Sequence, residues 1–194
     1  MNKLTRADLL GLEQYAAERK SLRAEVMHHK QVRTVQVGPN MTWCFEDLTT
    51  IRYQIQEMLR AERIFEIRGI QDELDAYNPL IPDGANWKVT LLLEFPDPEE
   101  RRQALERMIG VEDKCWVRVG ELGRVFAIAD EDMERENEDK TSAVHFLRFE
   151  LTPSMAQAAK SAAPLTVGVD HEQYRHVVGP LPTAVRDSLS RDLD

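Results

Sequence analysis

Trp87-Lys88-Val89-Thr90-Leu91-Leu92-Leu93-Glu94-Phe95 is the stretch on which the fold turns. Val89, Leu91, Leu93 and Phe95 alternate with Lys88, Thr90 and Glu94, the period-two mark of a strand with one buried face. Upstream of it the apolar residues recur mostly at helical spacing. Leu12, Tyr15, Ala16, Leu22 and Val26 predict a helix over residues 12–31. Residues 34–37 and 41–45 flank Gly38-Pro39-Asn40 and predict a β-hairpin. Asp47 caps a second helix over residues 48–68, with Ile51, Ile55, Met58, Leu59 and Ile64 as its apolar stripe and Gly69 as its stop. Residues 70–77 form a third helix, and the prolines at 79 and 82 stiffen a loop over residues 79–84.

Downstream, Asp97-Pro98-Glu99-Glu100 supplies a cap, a first-turn proline and first-turn acids for a helix that runs to Ile109 and closes at Gly110. Residues 116–119 and 124–129 read as a hairpin around Glu121-Leu122-Gly123. A strand over residues 143–152, a helix over 153–162 and strands over 165–170 and 174–178 follow. Residues 182–193 give a short terminal helix that is expected to fray. Helices first and strands after predict an α+β fold: a helix-rich N-terminal third followed by a mostly antiparallel β-sheet with interspersed helices. No repeat or low-complexity linker divides the chain, so one domain is expected over residues 1–194, with the 79–84 loop as its only candidate sub-boundary.

Composition narrows the function classes. The chain of 194 residues carries 25 Lys and Arg against 34 Asp and Glu, a net charge of −9, which argues against a nucleic-acid binder that needs surplus cations at phosphates. The longest apolar run, residues 89–93, is far short of a membrane span, and the N-terminus lacks the apolar segment of a signal peptide. With two cysteines in no metal-spaced pair, a cytoplasmic protein with free thiols is expected. Cys44 lies in an apolar strand and Cys115 beside Trp116, so both read as structural.

Five histidines carry what chemistry the sequence offers. On the strand over residues 143–152, His145 shares a face with Leu147 and Phe149; His171 continues the face of Leu165, Val167 and Val169. If these two strands are neighbours, His145 and His171 meet at one end of the sheet. With His176 and a carboxylate from Glu57, Asp170 or Glu172 they would make a transition-metal site. The alternative is a satisfied core histidine at 145 and an exposed turn residue at 171. His29 leans toward the core from its helix and His28 points elsewhere, so the two do not share a metal. Residues 131–140 hold six acids but not the spacing of a calcium loop; they form a solvated segment able to dock a basic partner. No phosphate-binding glycine loop and no nucleophile elbow occurs.

Several long stretches together resemble an uncharacterised bacterial family, a domain of unknown function of about this length. They are Tyr53-Gln54-Ile55-Gln56-Glu57-Met58-Leu59-Arg60, Asp72-Glu73-Leu74-Asp75-Ala76-Tyr77-Asn78-Pro79-Leu80-Ile81-Pro82, Arg135-Glu136-Asn137, Lys140-Thr141-Ser142-Ala143-Val144-His145-Phe146-Leu147-Arg148-Phe149-Glu150-Leu151, and Asp170-His171 with Tyr174-Arg175-His176. The resemblance brings no catalytic residues. Members of that family are often encoded beside rubrerythrin-like and iron–sulfur oxidoreductase proteins, so it implies a redox setting and a redox protein as partner. Two readings follow. One is a cytosolic accessory or binding protein with a redox partner, docking through residues 130–140 or the helix over 48–68. The other is a metal-binding protein or metal-dependent enzyme using His145, His171, His176 and Glu57.

Overall fold

The first helix, α1, spans Leu12–Gln31 and buries only Tyr15 and Val26, with His28, His29 and Lys30 in its last turn, where cations suit the helix dipole. The computed structural model describes residues 3–129, 131 and 140–194. Strands β1 (Thr34–Gln36) and β2 (Met41–Glu46) form the expected hairpin. Its turn needs glycine: Gly38 has φ +78°, and a Cβ there would lie 2.5 Å from the His176 ring. Helix α2 (Leu48–Ala61) starts at a reciprocal cap, in which Thr50 N–H donates to the Asp47 carboxylate and Asp47 N–H donates to Thr50 Oγ1, each at 2.9 Å.

The second helix is shorter than predicted. It ends at Ala61, Arg63 enters the left-handed region at φ +56°, and helix α3 (Ile67–Tyr77) begins before Gly69 and contains it. The stop comes at Arg63 because Ile64 folds back, its N–H donating to Leu59 O at 2.9 Å. Gly69 then serves a close approach: a Cβ there would sit 2.7 Å from Ile64 Cγ2. Leu4, Ile51, Ile55, Leu59, Leu74 and Ile81 make a small core among these helices.

Strand β3 (Asn86–Leu93) alternates as its sequence requires, burying Trp87, Val89, Leu91 and Leu93. Helix α4 (Pro98–Arg107) is capped by Asp97. Strand β4 (Cys115–Val119) pairs with β5 (Val125–Phe126), and after Ala127 strand β6 (Ile128–Ala129) pairs instead with β7 (Val144–Glu150). Residues 124–129 are therefore not one hairpin arm; the chain switches sheets within them. Helix α5 (Pro153–Lys160), strands β8 (Leu165–His171) and β9 (Tyr174–Val178), and helix α6 (Thr183–Ser190) complete the chain.

The fold is α+β as expected, but its strands make two antiparallel sheets, in the orders β1-β2-β3-β7-β6 and β5-β4-β8-β9. Both contribute to one continuous core. Trp43 stacks on Phe149 with ring centres 5.4 Å apart, and Val117, Leu165 and Val167 come from the second sheet. Tyr174 of β9 fastens the first hairpin: its hydroxyl donates to Val37 O at 2.8 Å and accepts from Asn40 N–H at 3.0 Å. The C-terminal helix does not fray. Val185, Ser188 and Leu189 are buried, Trp87 Nε1 donates to Leu189 O at 2.9 Å, and Asp194 N–H donates to Gly84 O at 2.9 Å.

Candidate functional site

Strands β7 and β8 lie in different sheets, so the neighbourhood on which the metal reading rested does not form. Each of its residues is engaged elsewhere. His145 is fully buried, with Nε2 2.9 Å from Thr141 Oγ1, 3.0 Å from Ser142 O and 3.7 Å from Glu112 Oε2. His171 lies 3.1 Å from Ile109 O through Nε2 and accepts from Gln173 N–H through Nδ1. His176 packs against the Tyr174 ring, 4.5 Å between centres. Glu57 of α2 accepts from Tyr15 OH and from both Nε and Nη2 of Arg19, at 2.7 to 2.8 Å. The Arg19 hydrogen bonds hold the Glu57 carboxyl down to about 2. Asp170 pairs with Arg124 at 2.5 Å. Among the described residues, no group of three or more His, Cys, Asp and Glu side chains is placed to hold a metal ion. His29 does turn inward, to 2.6 Å from Asp47 Oδ2, and His28 is exposed. Of the acidic segment, residue 130 and residues 132–139 lie outside the described residues.

A different site follows from strand alternation. Met41, Trp43 and Phe45 fill the core, so Thr42, Cys44 and Glu46 take the other face of β2. The register carries that face across the sheet in rows: Cys44 beside Thr90 beside Phe146, Thr42 beside Leu92 beside Val144, and Glu46 beside Lys88 beside Arg148. Helices α2 and α3 and the turn after α3 stand over this face through Ile51, Gln54, Tyr77 and Leu80, and Lys30 reaches it from the end of α1. Between roof and sheet lies a cleft of about 280 Å³. A second lobe of about 170 Å³ adjoins it, sharing Leu80 and Phe146 and reaching Lys88 and Arg148. Cys44 is thus a half-buried wall of a cleft rather than a core thiol, whereas Cys115 is fully buried. The signal was present in the sequence: two neighbouring strands each carry polar residues at alternate positions, and one of those is a cysteine.

The cleft is suited to holding a molecule more than to attacking one. Burial and the nearby Glu46 carboxylate push the Cys44 thiol up, so it stays protonated at neutral pH. Glu46 is already bound, Oε1 accepting from Thr90 at 2.7 Å and Oε2 from Thr50 at 2.5 Å. Among the described residues no histidine lines either lobe, so Cys44 has no imidazole base beside it. Another cleft of about 190 Å³ lies between α1 and α2, beside Tyr15, Tyr53 and Gln56. Three of its polar groups are bound to the helices and their lead-in: Tyr15 to Glu57, Tyr53 to Arg23, and Gln56 to the backbone of Leu10.

A protein-family model described as "Protein of unknown function (DUF3501)" matches residues 3–193. The chain is also similar to a crystal structure of a novel protein of unknown function from Burkholderia pseudomallei K96243. The two are 50% identical over 100% of both chains, with a TM-score of 0.93. No curated protein matches.

Proposed function

The chain belongs to the DUF3501 family of proteins of unknown function, and on that footing we propose that it is an accessory binding protein that takes a small organic ligand into the sheet-face cleft and works beside a redox protein. The observation that carries the binding half is the cleft itself. It has apolar walls from Leu80, Leu92, Val144 and Phe146, a few polar groups aimed into it and, among the described residues, no imidazole base beside Cys44. The redox half is supported by the genomic company of the family that the sequence resembles. The cleft is preferred to the metal reading because, among the described residues, no group of three or more His, Cys, Asp and Glu side chains is placed to hold a metal ion.

Native mass spectrometry of the purified protein tests the ligand half. The wild type is expected to carry a co-purifying small molecule, or to bind members of a fragment set. Val144→Trp, which fills the first lobe, is expected to lose them while staying folded by circular dichroism. Equal binding by both would sink the cleft as the site. For the partner half, the protein and a purified iron–sulfur oxidoreductase of the kind encoded beside members of the resembled family are expected to co-elute, and separate elution at low ionic strength overturns that half.

A further inference from the structure

We infer that the ligand is an amphipathic organic monoanion, an apolar body with one carboxylate, whose head is held by Lys88 in the second lobe. This rests on the cleft being the ligand site. Lys88 lies half-buried on the outer face of β3, with Glu46 opposite on one side and Arg148 on the other. Neither neighbour serves it. Glu46 is held by Thr50 and Thr90, and Arg148 is held by Glu131, at 2.7 and 2.8 Å, and by Glu150. Among the described residues the Lys88 ammonium makes no hydrogen bond and no ion pair, and burial and the like charge of Arg148 both work against its protonated form. The carboxylates of Glu131 and Asp83 pull the other way, from beyond pairing distance.

A half-buried cation without a partner, at the end of an apolar trough, is complementary to an anion that brings its own apolar body. Leu80 and Phe146 line both lobes, so a ligand with its head at Lys88 would run its apolar body past these two residues. Arg148 is met by two carboxylates, so Lys88, Arg148, Glu131 and Glu150 together sum to zero, and Lys88 is the member left without a contact partner. A monocarboxylate at Lys88 adds a single negative charge beside Glu131 and Glu150, whereas a phosphate dianion adds two.

Calorimetric titration with octanoate, octyl phosphate and the neutral 1-octanol tests this in the full chain. Octanoate is expected to bind more tightly than either of the others. Lys88→Met, which keeps the length and loses the charge, is expected to weaken octanoate about tenfold and to leave 1-octanol unchanged. Lys88→Arg is expected to recover most of the loss, which separates a lost charge from a damaged fold. Octanoate binding that ignores Lys88→Met overturns the inference. If octanoate and 1-octanol bind alike, the cleft reading stands and the anion inference fails; if no probe binds, both fail. Preference for octyl phosphate rejects the monoanion.

Discussion

Arg33 and Asp192 meet at 2.5 Å although 159 positions separate them in the chain, and both side chains are buried. The guanidinium is used almost to capacity. Nε donates to Phe45 O at 2.9 Å, Nη2 to Glu46 O at 3.0 Å as well as to Asp192, and Nη1 to Ser188 Oγ at 3.2 Å. One side chain thus ties the C-terminal end of β2 in the first sheet to the C-terminal segment of the chain. Removing it leaves a buried carboxylate and several carbonyls unmet. Arg33→Met is expected to lower unfolding stability by about 3–5 kcal/mol. Urea denaturation followed by tryptophan fluorescence measures it, and a loss under 1 kcal/mol would refute the clamp.

The same pair makes stability depend on pH. Burial pushes the Asp192 carboxyl up to about 6, against the pull of Arg33, from an ordinary value of 3.8. The folded state therefore holds this proton more tightly than the unfolded chain. That contribution is fully present below pH 3.8 and is lost as pH rises through 6. Asp192→Asn cannot lose a proton, so the stability difference between wild type and variant should shift against the wild type by a few kcal/mol between pH 4 and 7. Parallel denaturation curves across that range would show this assignment to be mistaken.

Gly69 offers a test with an unusual sign. It sits inside α3, where Gly→Ala ordinarily stabilises by nearly 1 kcal/mol. Here the new Cβ would lie 2.7 Å from Ile64 Cγ2, a branch with little freedom to swing aside. Gly69→Ala is expected to destabilise by about 1 kcal/mol, and to recover in the Ile64→Ala background. A thermal-melt double-mutant cycle reads the coupling, and an additive cycle contradicts the close approach.

Local chemistry was legible in the sequence, and long-range pairing was not. The alternation of residues 87–95, the Asp47 cap and the Asp97-Pro98 start each rest on a few adjacent residues, and each is found. Strand alternation tells which face a side chain takes but not which sheet the strand joins. Residues 124–129 look like one arm because the switch at Ala127 leaves no local mark, and His145 and His171 were brought together for the same reason. Ile64 continues the apolar stripe of α2, so the turn at Arg63 was masked. Alternation could have placed Cys44 opposite Trp43, since it needs only the strand. That Lys88 goes unpaired could not be read, because it depends on Thr50, Thr90, Glu131 and Glu150 engaging its neighbours.

Cys44 reports on the cleft without any ligand being known. Its thiol is pushed up by burial first and by Glu46 second, while Lys30 and a hydrogen bond with Thr34 pull it down. At neutral pH the reactive thiolate is therefore scarcer than on an exposed cysteine, and Cys115 is sealed in the core. Iodoacetamide should label a single cysteine, Cys44, several-fold more slowly than a small-molecule thiol at pH 7.5. Glu46→Gln removes the negative charge beside it and should speed labelling, with the midpoint of the rate–pH curve moving down. Val144→Trp, which fills the cleft that Cys44 lines, should slow labelling and, by adding burial, move that midpoint up rather than down. The two variants separate charge from access, and mass spectrometry of the labelled peptide assigns the site. Labelling as fast as the free thiol, or unchanged in both variants, would place Cys44 outside the cleft as it is described above.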